Sequence, residues 1–332
     1  MSAEPATVAE LETPAWRRGL SKGLDVVERF GPLLFLVGIV VVFALKKPDT
    51  FPTWDNTLLV LSTAALPGIV SFGLTMTLIL GEFDLSIGFV FALGGVMATN
   101  WMAEIGVIPS LLLGIGTGLA FGLINGSIVA YVGVSAFIGT LGTGAIAQGI
   151  VNWITGGSAK AGFPSGFVRI SSDDTFGIPN EVLIMFGVMA LLWLLLSRTE
   201  VGRRIDAIGG NREAARLAGI RISRYILLVF AISGMCAAFA GLLAASELDS
   251  AYANAGDTYL LDAFTACFIG AAVFKPGEFS IPGTLVGVLI NATLFNGLAQ
   301  IGVESYWQFI IKGLILVLAV AASGVLMKRR TR

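Results

Sequence analysis

Residues 57–88 read TLLVLSTAALPGIVSFGLTMTLILGEFDLSIG. From Thr57 to Leu80 no side chain carries a charge, and a run of roughly 20 apolar residues crosses a bilayer as a helix. Directly after it come Glu82 and Asp84, and a second apolar stretch opens at Gly88. The rest of the chain repeats this alternation. It has 332 residues, 55% hydrophobic and 13% charged, against about 25% charged in an ordinary soluble domain. A soluble fold is excluded, and the length leaves room for about ten crossings.

Hydropathy gives runs at Phe30–Leu45, Thr57–Leu80, Gly88–Met102, Ile108–Val132, Val134–Ile154, Val182–Leu196, Tyr225–Ala245, Leu260–Phe274, Ile281–Ile301 and Tyr306–Met327, each bounded by Pro, Gly or charge. The fold expected is all-α: a polytopic membrane protein of about ten transmembrane helices. A segment 1–29 precedes a single membrane domain over 30–327, which carries a polar loop at 198–224, and a tail 328–332 follows. The first 25 residues are polar and of mixed charge with no small-residue cleavage site after the first run, so no cleaved signal peptide is expected.

An even number of spans places both termini on one side, and basic residues mark that side as the cytoplasm. Arg17, Arg18, Lys22 and Arg29 precede the first run, and Lys328, Arg329, Arg330 and Arg332 follow the last. Arg198, Arg203, Arg204, Arg212, Arg216, Arg221 and Arg224 follow the sixth, and Lys275 the eighth. Only Lys46, Lys47, Lys160 and Arg169 fall outside. The run lengths go short, long, short, long, long, and then repeat in that order. Two five-span halves of this kind enter the membrane from opposite faces, the inverted-repeat plan of many transporters. Asn125-Gly126 with Val132-Gly133-Val134-Ser135 echoes Asn296-Gly297 with Ile301-Gly302-Val303-Glu304-Ser305.

Composition removes several chemistries. There is no histidine, hence no imidazole base, proton shuttle or metal ligand. Cys236 and Cys267 lie in apolar runs and read as packing residues rather than a disulfide or a metal site. A net charge of −1 without a basic tract offers nothing to nucleic acid. No catalytic constellation, cofactor or metal is expected.

Short spans at matching positions of the two halves point to a solute path, and here they are the third and eighth. Carboxylates at the edge of hydrocarbon are expensive. Glu82 and Asp84 can bond sugar hydroxyls, cap the helix that starts near Ser86, or do both. Asn125, Thr140, Thr143, Gln148, Asn152, Thr265, Asn291, Asn296 and Lys312 lie inside runs. Their mostly neutral amide and hydroxyl character favours a polyol-like solute over an ion. Asp84, Ser86, Asn125, Thr140, Asn291 and Asn296 are the candidates for the path. Gly139, Gly142, Gly144 and Gly149 read as close helix packing.

In the loop from Arg198 to Arg224, Gly209-Gly210 breaks the chain, Asn211 caps, and Arg212–Ala218 forms a short helix closed by Gly219. A short helix outside the membrane is shaped for docking.

The motifs Asp84-Leu85-Ser86-Ile87-Gly88, Thr140-Leu141-Gly142, Ala207-Ile208-Gly209-Gly210-Asn211 with Ala214-Ala215 and Gly219-Ile220, Leu261-Asp262-Ala263, Ile269-Gly270, Gly283-Thr284-Leu285, Asn296-Gly297, Gln308 and Lys312-Gly313 follow one another over residues 57–325. In that order they resemble the permease subunits of bacterial ATP-binding-cassette importers of the ribose, xylose and galactose type. The resemblance implies a cytoplasmic ATP-binding subunit, a periplasmic or lipid-anchored solute-binding protein, and a second permease subunit, the same or related, in the bilayer. It makes Gly209, Gly210, Asn211, Ala214, Ala215 and Gly219 the helix that seats in the ATPase, and the loops 156–180 and 247–258 the outward docking surface. No Gly-x-x-x-x-Gly-Lys-Ser/Thr phosphate loop occurs, so ATP is hydrolysed elsewhere. Family members often carry a Gly-Gly-rich turn after the eighth span. Residues 270–279 read GAAVFKPGEF instead, which leaves the particular sugar open. The competing readings are a proton- or ion-coupled secondary transporter and a membrane enzyme acting on lipid, for which Glu82 with Asp84 is the only candidate pair.

Overall fold

The computed structural model describes residues 15–273 and 277–330. The start of the N-terminal segment, Phe274-Lys275-Pro276 and the last two residues of the tail lie outside the described residues.

Every apolar run forms a helix. In chain order these are α1 (Ala15–Lys46), α2 (Trp54–Ile79), α3 (Ile87–Asn100), the single turn α4 (Met102–Ile105), α5 (Val107–Ser127) running into a π turn at Ile128–Val132, and α6 (Ala136–Thr155). After α7 (Ser165–Ser172) come α8 (Asn180–Arg198), α9 (Glu200–Gly210), α10 (Arg212–Leu217), α11 (Ile222–Glu247), α12 (Asp257–Gly270), α13 (Ile281–Gln300) and α14 (Ser305–Arg330). The structure is all-α apart from four two-residue strands, β1 (Lys160–Ala161), β2 (Asp174–Thr175), β3 (Ile178–Pro179) and β4 (Ser250–Ala251). From Ala15 onward the expected N-terminal segment is continuous with the first apolar run as one helix.

Among the described residues five helices are long and apolar enough to cross a membrane: α2, α5 with its π turn, α8, α11 and α13. Shorter apolar stretches are Gly31–Lys46, Ile87–Asn100 and Ser305–Ala321. Helices α3 and α12 have 14 residues each, a rise of about 21 Å, which is less than a hydrocarbon core of about 30 Å. Non-helical backbone beside them must therefore be satisfied within the protein.

Packing centres on α11, whose inner residues from Val229 to Ser246 are almost all buried against α2, α3 and α5. Lipid supplies no hydrophobic drive between helices, so close approach through small residues has to hold them together. A methyl on Gly241 would stand 1.8 Å from the Phe91 carbonyl oxygen, and one on Gly118 would stand 2.3 Å from that of Gly234. Gly241→Ala is therefore expected to destabilise the protein by about 1–3 kcal/mol through overpacking, read as a lowered melting temperature in detergent. Of the four glycines of α6, Gly144 presses on Phe89 and Gly139 approaches Ile128, whereas Gly142 and Gly149 face open space. Close packing thus accounts for two of them. The other two lie on a helix that leaves Phe137, Ile138, Leu141, Ile146 and Trp153 uncovered.

Contacts of the helices before residue 156 are mirrored by those of the helices after residue 179. Helix α11 packs on α3 and α5, and α2 packs on α12 and α13; α3 meets α5 and α6, and α12 meets α13 and α14. The first helices depart from the pattern, with α1 lying on α13 and α8 on α2.

At the Glu247 end of α11, loops 156–180 and 247–258 join. Strand β1 pairs antiparallel with β4, Lys160 opposite Ala251. The Phe163 N–H donates to Asp249 Oδ1 at 2.8 Å, and Gln148 Nε2 to the Ala253 carbonyl at 3.2 Å. The other end of α11, about 39 Å away at 1.5 Å per residue, adjoins α9 and α10. Both cysteines are free and buried, and the Cys267 thiol donates to the Ser71 carbonyl at 3.3 Å.

Candidate functional site

Between α2 and α3 the chain leaves helical geometry at Gly81–Ser86, and four of the expected path residues deal with the consequence. Asp84 Oδ1 accepts from the Ser86 N–H at 3.0 Å and the Ser86 hydroxyl at 2.6 Å, and its Oδ2 accepts from the Ser233 hydroxyl of α11 at 2.8 Å. Asn125 Nδ2 of α5 donates to Ser86 Oγ at 2.8 Å, and Asn125 Oδ1 accepts from the Thr143 hydroxyl of α6 at 2.5 Å. Thr140 Oγ1 takes the Leu85 N–H at 2.9 Å and donates to the Ala136 carbonyl at 2.7 Å. Asp84, Ser86, Asn125 and Thr140 are all buried, so the network ties the start of α3 to α5, α6 and α11. Asp84 closes a turn just ahead of the helix, close to the capping role open to it.

Glu82 takes no part in this network. It pairs with Arg212 at 2.5 Å, joining the α2–α3 loop to the first residue of α10. Glu82 and Asp84 are thus held by different partners, Arg212 for the one and Ser86 with Ser233 for the other.

Asn291 and Asn296, the other two path candidates, line a cavity of 470 Å³ between α2, α12, α13 and α14. Its floor carries an ion pair absent from the expected site, Lys312 Nζ to Asp262 Oδ1 at 2.6 Å, with side chains 14% and 17% exposed. The ammonium lies 5.0 Å from the Phe295 ring centre and 5.9 Å from that of Phe309. Asn291 donates to the Asp262 carbonyl at a long 3.5 Å, while its own buried Oδ1 has no partner among the described residues. Asn296 Oδ1 accepts from Gln300 at 3.1 Å. Pro67, on the α2 wall, has no N–H, so the Thr63 carbonyl in the same wall loses its usual helical donor. A lysine in the middle of an apolar run demands a counter-charge; that demand, made by Lys312, was the sequence signal for Asp262.

The polar segment differs from the single capped helix expected. Glu200–Gly210 is itself a helix, capped by Thr199 Oγ1 accepting from the Gly202 N–H at 3.2 Å, and Gly209-Gly210 end it rather than interrupt a loop. Asn211 then caps α10, its Oδ1 accepting from the Ala214 N–H at 2.9 Å, and Gly219 leaves at φ +82°. The six expected docking residues divide. Ala215 is buried, and a methyl on Gly209 would stand 2.3 Å from the Ile79 carbonyl oxygen at the end of α2. Gly210, Asn211, Ala214 and Gly219 are exposed, together with Leu217 at 80%. Leu217 went unnoticed because a leucine in a short helix reads as its buried face; Ala215 fills that role here.

The chain matches the family described as "Branched-chain amino acid transport system / permease component" over residues 56–320. It is 35% identical over 299 residues to the ribose import permease protein of Bacillus subtilis (89% of this chain, 92% of the relative). It is 34% identical over 304 residues to the D-allose transport system permease protein of Escherichia coli (91% and 93%). It is 35% identical over 332 residues to the galactose/methyl galactoside import permease protein of Haemophilus influenzae (92% and 96%). No solved structure matches it. The pattern of apolar helices agrees with a multi-pass protein of the inner membrane, and in such importers ATP hydrolysis belongs to a separate subunit. The chain belongs to the import permease family and is a transmembrane permease subunit of an ATP-binding-cassette importer.

Proposed function

We propose that this permease forms the translocation path for a monosaccharide, and that the path runs along the cavity between α2, α12, α13 and α14. The observation that carries the reading is the cavity itself: neutral in net charge, lined by Asn291, Asn296 and Gln308, and walled by Phe295 and Phe309. Such a lining suits a polyhydroxylated solute, and the relatives named above are ribose, allose and galactose permeases rather than amino-acid carriers. Asp84, Ser86, Asn125 and Thr140 then serve as the frame of the opposite half, whose polar groups are already engaged.

In this reading the chain crosses the membrane ten times as two inverted five-helix halves with both termini cytoplasmic. The reciprocal contacts of α2 and α11 support the duplication, and the sixteen-to-four division of basic residues supports the orientation. Two permease subunits pair in the bilayer. The exposed rim of α10 seats in a cytoplasmic ATP-binding subunit, and the joined loops at the far end receive the solute-binding protein. Movement of α10 reaches the membrane helices through the Glu82–Arg212 pair and the contact of Gly209 with the end of α2. Rigid-body rocking of packed helices is how such a push opens one face and closes the other.

Purification of the tagged permease from native membranes in mild detergent is expected to bring an ATP-binding subunit with it, identified by mass spectrometry. Uptake into vesicles should follow ATP. Uptake that survives ATP depletion and collapses with the proton gradient overturns the proposal in favour of a secondary carrier.

A further inference from the structure

The cavity holds more than a passage requires. A conduit needs only polar walls, whereas here an unsatisfied acceptor, a compensated charge pair and aromatic surface converge. Asn291 Oδ1 is buried, its residue 6% exposed, and has no partner among the described residues. A buried polar atom left unpaired is destabilising and uncommon in native proteins, which points to a ligand that supplies the missing donor. Lys312 carries three donors and meets Asp262 through one carboxylate oxygen. Because the pair cancels in charge, a charged solute finds no net counter-charge there to offset the cost of its desolvation. A neutral molecule with several hydroxyls, each both donor and acceptor, brings no charge to be desolvated. The volume of 470 Å³ lies within the range of about 300–1,000 Å³ usual for small-molecule sites.

Resting on the sugar-importer reading above, we infer that this cavity is a binding subsite for a neutral five- or six-carbon monosaccharide within the permease itself. Asn291 Oδ1 accepts from one of its hydroxyls, the Asp262–Lys312 pair grips a further hydroxyl, and Phe295 and Phe309 cover its apolar face. The permease then contributes to solute choice by charge, in addition to whatever the solute-binding protein selects.

The test uses the full-length permease in lipid nanodiscs, without ATP-binding or solute-binding subunits, and radiolabelled ribose, allose and galactose as probes. At least one sugar is expected to bind saturably, and its corresponding sugar acid to compete at least about tenfold less well. Asn291→Leu should weaken binding about tenfold, the loss of one hydrogen bond to a buried group, with little change in melting temperature, since the replacement removes an unpartnered acceptor and only a long 3.5 Å bond to the Asp262 carbonyl. A structural role for Asn291 would instead lower the melting temperature. Asp262→Asn leaves the Lys312 charge uncompensated, so the sugar acid should gain at least about tenfold over the neutral sugar. If that variant does not fold, Asn291→Leu decides the matter by itself. Absence of saturable binding of all three sugars to the permease overturns the subsite. If the reconstituted importer still takes up one of them with ATP, the importer reading stands without it. Failure of ATP-driven uptake would sink the importer reading instead.

Discussion

A Leu217→Asp permease is expected to insert and fold as the parent does and to lose solute uptake entirely. Leu217 is 80% exposed on a six-residue helix that Asn211 caps and Gly219 ends. Its exposed surface is open to a partner, and a buried anchor at the centre of an interface can carry about 2 kcal/mol. A carboxylate placed there would have to be desolvated to dock. The ATP-binding subunit should therefore co-purify at least about thirtyfold less well, while the melting temperature of the permease stays unchanged because no internal contact is touched. Gly210 and Ala214, exposed on the same rim, should behave alike when replaced by glutamate. Retention of normal uptake by Leu217→Asp would remove α10 from the docking surface.

Asp84→Leu is expected to act in the opposite way, by eliminating folded protein. The substitution strands three donors, the Ser86 N–H, the Ser86 hydroxyl and the Ser233 hydroxyl. Each costs about 1–3 kcal/mol when buried without a partner, and together they rival the total stability of a typical domain. In Asp84→Asn one acceptor remains and the serine hydroxyls can reverse, so most folded material should survive. Quantified by fluorescence-detected size exclusion, Asp84→Leu should give little or no monodisperse peak and Asp84→Asn most of one. Uptake by Asp84→Asn, normalised to that peak, should match the parent. A loss of transport in well-folded Asp84→Asn would place the carboxylate on the solute path instead of in the frame.

The two expectations separate residues that sequence alone leaves in one class. Apolar runs announced the helices because length and the lack of charge are local properties. Thr57–Leu80 could hardly be anything but a span, and α2 occupies Trp54–Ile79. The Asn211 cap and the Gly219 stop of α10 were also legible, since capping depends on neighbours within a turn. The helix Glu200–Gly210 escaped notice because two glycines at its end resemble a break, although its buried face, Gly202, Ile205 and Ile208, follows helical spacing.

Polar residues within the runs were visible, but their partners were not. Asn125 and Asn291 look alike in sequence. Tertiary packing engages Asn125 with Ser86 and Thr143 from other helices and leaves Asn291 Oδ1 open at a cavity. The pairing of Asp262 with Lys312 bridges α12 and α14, and that of Glu82 with Arg212 joins the α2–α3 loop to α10. Hydropathy and capping act over a few residues and are written in the chain, so the sequence by itself determined the helices, their class and the family. Hydrogen bonds and ion pairs between helices depend on which faces meet. That tertiary arrangement alone decided which polar residues are hydrogen-bonded to other helices and which lie open at the cavity.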